Sequence, residues 1–172
     1  FRQRGWTPHL VVLNRRDALL SPGNLAVYET VSFLCDDTVE DYVNAHSYQG
    51  TPLSNWSQSD RHGRALGLLH WFDVVVNCHG AAVSGLMAQL RRIDIKTVVS
   101  LHLSDLTPTG RPVGNTYVAL AHEHAYDMFI TCSHRLAHWC HGMGVPQDKI
   151  TPVPNAGGYE LATDLAQSIR TE

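Results

Sequence analysis

Apolar residues fall into two alternating patterns from residue 65 onward: short unbroken runs, and stretches with helical spacing. Residues 72–77 (FDVVVN) form the first run, which predicts a strand buried on both faces. Val83, Leu86, Met87 and Leu90 then stand at i, i+3, i+4 and i+7, which predicts a helix. Arg91 and Arg92 close it, where cations suit the negative end of the helix dipole. Residues 95–101 predict a second buried strand. After a Pro/Gly/Thr loop over 107–110, Pro112 suits a first helical turn, with Val113, Tyr117, Leu120 and His124 along one face. Residues 127–131 predict a third strand. Ser133 is placed to cap a helix running to about Met143, with Gly142 and Gly144 to end it. Residues 149–153 predict a fourth strand, closed by Pro154.

Strands alternating with helices at this spacing predict an α/β fold, a parallel sheet with helices on both faces. The first sixty residues are less regular. Residues 2–5 read as a helix end and 8–14 as another buried strand. Residues 15–60, with SPGN at 21–24, Asp36-Asp37 and Thr51-Pro52, predict long loops around one or two short strands. Polar residues follow the apolar runs again and again: Asn14, then residues 77–80 (NCHG), 100–105 (SLHLSD), 131–134 (TCSH) and 154–155 (PN). In open parallel sheets ligands gather at these carboxyl ends.

Composition narrows the picture. At 172 residues and 44% hydrophobic, the chain suits one compact domain. Thirteen Lys and Arg against sixteen Asp and Glu give a net charge of −3, which argues against a nucleic-acid surface. No apolar run approaches the roughly 18 residues of a membrane span. The opening residues lack a long apolar core and do not read as a signal peptide. Four cysteines without a C-x-x-C pair fit a reducing, cytoplasmic setting, with Cys78 and Cys132 expected in buried strands. No G-x-G-x-x-G follows a strand, which disfavours a nicotinamide dehydrogenase.

Eleven histidines raise the question of a metal. On the helix after Ser133, Leu136, Trp139, Cys140 and Met143 share an apolar face, while His134, His138 and His141 take the opposite one. His122 and His124 diverge by helical geometry around Glu123. No metal site is predicted.

The strand ends resemble a known family. Residues 72–80 (FDVVVNCHG) resemble the "yDvvh-x-Hg" segment of the N-terminal domain of retaining GT-B-fold glycosyltransferases, the glycosyltransferase group 1 or family four proteins. Residues 97–102 (TVVSLH) resemble their "vvt-x-H" strand, and residues 126–133 (YDMFITCS) their "aD-x-vi-x-x-S". Residues 144–155 (GVPQDKITPVPN) resemble "Gvp-x-dkI-x-viPNG", although Ala156 stands where the family has Gly. Residues 4–12 (RGWTPHLVV) are similar to the opening "rGHeV-x-vv". Residues 15–65 are unmatched.

The resemblance implies a Rossmann-like domain over 1–158, the N-terminal half of a GT-B fold, with 159–172 starting a linker toward a C-terminal donor domain. It begins at the family's first helix and stops after the hinge, so a fragment is expected. Loss of a central first strand would leave an open sheet edge, and a second copy of the chain, as a homodimer, is one way to cover it.

The implied activity is transfer of a sugar from a nucleotide-sugar donor to a hydroxyl, with a sugar or glycolipid-type acceptor on this half. The donor is a co-substrate, and no cofactor or metal is implied. His102 is the candidate catalytic residue, since the family's His at this strand end sits beside donor sugar and acceptor; its ring or its backbone carbonyl would stabilise developing charge. The substrate-binding candidates are His79, Gly80, Ser104, Asp105, Ser133 and Asn155. Each has a plain structural alternative: a strand-to-helix turn for His79 and Gly80, loop capping for Ser104 and Asp105, N-capping for Ser133 rather than phosphate binding, and a turn for Asn155. The expected location is the cytoplasm, with peripheral contact at the inner face of the membrane left open. A non-catalytic α/β binding module derived from the same fold is the competing reading, and a GT-B-type epimerase a weaker one.

Overall fold

A computed structural model describes residues 4–14, 25–35, 63–78, 80 and 83–154, and the structural statements below concern these residues. Of the region over 15–60 expected to hold long loops around one or two short strands, residues 15–24 and 36–60 lie outside them, as does the linker over 159–172. Strand β1 (His9–Asn14) is followed by β2 (Thr30–Cys35) and by helix α1, described over 63–69. Next come β3 (Val74–Cys78), α2 (Ser84–Arg92) and β4 (Lys96–Leu101). A small hairpin, β5 (Asp105–Leu106) and β6 (Pro112–Val113), leads to α3 (Asn115–Ala121). The last described elements are β7 (Met128–Thr131), α4 (His134–Gly142) and β8 (Ile150–Pro152).

β1 and β2 pair in parallel, His9 opposite Thr30 and Asn14 opposite Cys35. The second sheet has the order β3-β4-β7-β8, every pair parallel, with Cys78 opposite Ser100 and Leu101 opposite Thr131. The two sheets are separate ladders, and the rings of His9 and Phe72 meet between them at 5.0 Å. Parallel strands need helical crossovers, which α2, α3 and α4 supply.

The four-stranded sheet is buried on one face. Val75 and Asn77 of β3, Thr97, Val99 and Leu101 of β4, Phe129 and Thr131 of β7 and Ile150 of β8 lie in the interior. They pack with Leu86, Met87 and Leu90 of α2, Ala119 of α3 and Leu136, Ala137 and Cys140 of α4. The alternate positions are more open: Val76 is 48% exposed and Met128 39%. The unbroken run at 72–77 is therefore a strand with one buried face, not two: Val75 and Asn77 turn to the core that the helices cover, and Val76 to the opposite, more open side. Cys78, expected in the interior, is exposed at the end of β3, whereas Cys140 is buried.

The α2 positions read from spacing are correct: Val83, Leu86, Met87 and Leu90 are all buried. At its C-terminus Arg91 Nε lies 3.0 Å from Asp127 Oδ1, and Arg91 Nη1 donates to the His124 carbonyl. Asp127 Oδ2 in turn accepts from the Thr97 backbone N–H at 2.9 Å and its hydroxyl at 3.3 Å. These bonds lock α2, β4 and the entry to β7 together.

The helix expected from Pro112 begins later. Pro112 and Val113 pair antiparallel with Leu106 and Asp105, and Gly114 (φ 92°) turns the chain before α3 starts at Asn115. The fixed φ of proline serves a short edge strand as well as a helical first turn. Val113 and His124 are accordingly exposed, and Thr116 and Ala119 are the buried α3 residues. On α4, Leu136 and Cys140 are buried and Trp139 half-buried as read, while Met143 is 54% exposed because it lies just past the last turn.

Candidate functional site

The carboxyl ends of β3, β4 and β7 lie side by side, so the polar residues that follow them form one row. Gly80 stands two residues beyond Cys78 and His102 two beyond its partner Ser100. Cys132 and Ser133 follow Thr131, the partner of Leu101. Strand order alone thus places His102 between the segment carrying Gly80 and the segment carrying Ser133.

His102 is the first residue past β4 and is exposed. Its Nε2 lies 3.1 Å from the Ser100 hydroxyl, two residues back on the same side of the strand. Its carbonyl accepts from Cys132 Sγ–H at 2.9 Å. One residue earlier, the Leu101 carbonyl accepts from the Cys132 backbone N–H at 3.0 Å. One residue later, the Leu103 carbonyl accepts from the Thr116 hydroxyl of α3. Three successive carbonyls leaving β4 are therefore each held, two by Cys132 just past β7 and one by α3.

At the end of β3, Asn77 folds its side chain over the turn. Its Oδ1 accepts from Gly80 N–H at 2.9 Å, and the two hydrogens on its Nδ2 serve Gly80 O at 3.1 Å, Tyr126 Oη at 2.8 Å and, as a shared third acceptor, Ser84 Oγ at 3.3 Å. The Tyr126 hydroxyl donates to Ser84 Oγ at 2.9 Å. All four residues are buried. Burial pushes the Tyr126 hydroxyl pKa up, against smaller opposing effects of the Ser84 and Asn77 hydrogen bonds.

The remaining candidates divide. Ser133 is the N-cap of α4, its hydroxyl accepting from Leu136 N–H at 3.1 Å. Ser104 is exposed on the segment between β4 and β5, and Asp105 opens β5 opposite Val113. His79 and Asn155 lie outside the described residues. Among the described residues no three His, Cys, Asp or Glu side chains are grouped to hold a metal ion, and no helix is long and apolar enough to cross a membrane. His134, His138 and His141 are exposed on α4 as their spacing predicts.

The residues that the sequence reading gave no role are Asn77, Ser84, Tyr126, Cys132 and Thr116. Asn77 carried a signal: it is a polar residue on the buried side of an apolar strand, where a partner is obligatory. The others gave none, because their bonds join residues 7 to 49 positions apart.

Parallel sheets flanked by helices define an α/β domain, with a polar row along the strand ends. The chain belongs to Glycosyltransferase Family 4, whose family model matches residues 1–156. Its architecture is that of the Rossmann-like N-terminal half of a GT-B fold. No curated protein matches the chain.

Proposed function

We propose that this chain is the acceptor-side domain of a retaining glycosyltransferase, moving a sugar from a nucleotide-sugar to the hydroxyl of a sugar or glycolipid-type acceptor. The observation that carries the reading is the anchored His102 at the centre of the strand-end row, in a chain of this family. In the transfer, the bond from the anomeric carbon to the departing phosphate oxygen breaks. The acceptor oxygen forms its bond on the same face, and the acceptor proton leaves with the phosphate. His102 is positioned to meet the charge that develops on the sugar, through its ring or its carbonyl. Gly80, Ser104, Asp105 and Ser133, with His79 and Asn155, are proposed to line the acceptor and phosphate sides. The reading calls for no metal or cofactor beyond the donor, which a C-terminal domain beyond the linker over 159–172 would hold.

The free thiols of Cys78, Cys132 and Cys140 suit a cytoplasmic location, peripheral at the inner face of the membrane when the acceptor is a glycolipid. Pairing of two copies through an open strand edge belongs to the same proposal; a purified chain that sediments as a monomer removes it.

The test uses the protein at its natural length. Its intact mass is measured, and nucleotide-sugars are screened by release of the nucleoside diphosphate. Turnover with a retained anomeric configuration, lost in His102→Ala with the thermal midpoint unchanged, is expected. A natural product near 19.1 kDa that turns over no donor makes the chain a non-catalytic module.

A further inference from the structure

We propose that Cys132 is a positioning residue for His102: its thiol fixes the backbone from which the His102 ring and carbonyl act. The inference rests on the reading of His102 given above and adds a residue to it. β4 ends at Leu101, and His102, Leu103 and Ser104 then lead to the β5–β6 hairpin, all three exposed. A ring held through Ser100 Oγ keeps a defined direction only where the backbone beneath it is fixed.

Cys132 supplies that fixing in two ways. Its backbone N–H holds the Leu101 carbonyl at 3.0 Å, a bond that any residue except proline makes at this position. Its side chain holds the His102 carbonyl at 2.9 Å, a bond that depends on residue type. Thiols are weak donors, and a hydroxyl makes the same bond better, whereas a methyl cannot make it at all. Serine should therefore replace Cys132, and valine, close to it in volume, should not. A packing role predicts the reverse order, because Cys132 is half-buried and valine fills that space better than serine.

The carbonyl direction also matters directly. A carbonyl that accepts from Sγ–H on one side keeps its second lone pair in a fixed direction, available to positive charge on a bound sugar. Without that bond, the peptide plane between residues 102 and 103 can rotate, and the loss appears in the transfer step rather than in binding.

The experiment compares wild type, Cys132→Ser, Cys132→Val and His102→Ala in the protein at its natural length. The donor is the nucleotide-sugar that gives the fastest nucleotide release in the screen. The expected result is that Cys132→Ser keeps kcat within about threefold, while Cys132→Val loses about tenfold in kcat with KM little changed, as for one lost hydrogen bond. All variants should melt within a few degrees of wild type. Histidine-selective labelling gives the second readout. The His102 ring resonances, assigned by their disappearance in His102→Ala, should keep their wild-type shifts in Cys132→Ser and move away from them in Cys132→Val. Wild-type kcat in Cys132→Val, or equal losses in the serine and valine variants, overturns the positioning role. If His102→Ala loses turnover while Cys132→Val keeps it, only the role of Cys132 falls. If turnover is absent, or survives His102→Ala, the transferase site itself is misassigned and the role of Cys132 falls with it.

Discussion

Tyr126 and Asn77, forty-nine residues apart in sequence, meet through a 2.8 Å hydrogen bond in the interior. The bond joins the entry of β7 to the exit of β3, and Ser84 at the start of α2 closes the triangle. Asn77 is 3% exposed, Ser84 and Tyr126 not at all. The Asn77 amide uses its oxygen and its nitrogen on partners within the protein, two of the bonds returning to Gly80. A closed polar network of this kind is rigid when complete and costly when broken, because the stranded groups have no water to turn to. It sets where the backbone stands as the chain leaves β3 toward α2, and so fixes one end of the strand-end row.

Tyr126→Phe removes one hydroxyl from this network and keeps the ring that packs edge-on against Phe129 at 5.5 Å. The expected loss is about 1–3 kcal/mol, seen as a lower midpoint in urea with an unchanged slope. Combined with Ser84→Ala, the two losses should fall short of their sum, since both variants break the same bond. Full additivity would place the two residues outside a common network.

The same residue makes an alkaline prediction. Burial raises the Tyr126 pKa above its ordinary value of 10.0 in the folded protein. The folded state therefore keeps the proton after the unfolded state has begun to lose it. The stability contribution is complete below pH 10 and declines as pH rises toward the folded pKa. Wild type should lose stability above pH 10 more steeply than Tyr126→Phe; parallel curves in urea titrations at pH 9 to 11 would show that Tyr126 does not titrate differently in the two states.

The contrast between what the sequence disclosed and what it hid runs along the range of the interactions. The α2 core positions and the cap at Ser133 were legible because helix periodicity and capping act within four residues. The strand-end row was legible because polar residues interrupt apolar runs at regular intervals. The face of β3 that stays open was not, since the three successive valines at 74–76 look alike until neighbouring strands and helices choose a side. The start of α3 was misjudged because Pro112 fits two local structures, and its pairing with Leu106 decides between them. Cys132 could not be linked to His102 from sequence at all: their bond spans thirty residues and exists only because β4 and β7 are neighbours.

Ser133→Ala tests the local part of that account. The hydroxyl accepts from Leu136 N–H and leaves it unpartnered when removed. A stability loss of about 1 kcal/mol is expected, with Ser133→Asp close to wild type because aspartate caps equally well and favours the helix N-terminus. A loss of nucleotide-sugar turnover in Ser133→Asp with stability intact would assign the hydroxyl a further role at the phosphate, where an added negative charge is repelled.

Asp127 gives the acid side of the stability profile. Its partial burial pushes the carboxyl pKa up, but the hydrogen bonds from Thr97 and the charges of Arg91 and Lys96 outweigh that and hold it below its usual 3.8. A carboxylate depressed in the folded state adds stability above the unfolded pKa and loses it as pH falls through the folded one. Asp127→Asn should cost stability at pH 7, by about 1 kcal/mol for a half-screened pair with its hydrogen bonds. The deficit should then shrink below pH 4, where wild type gives up the same contribution by protonation. Arg91→Met should reproduce the neutral-pH loss in part, because the Thr97 bonds to Asp127 survive it. Chemical denaturation from pH 3 to 7 distinguishes the outcomes: curves for wild type and Asp127→Asn that converge toward acid support the linkage. A constant gap across the range would mean that the aspartate contributes shape alone, and that the junction of α2, β4 and β7 is held by packing rather than by charge.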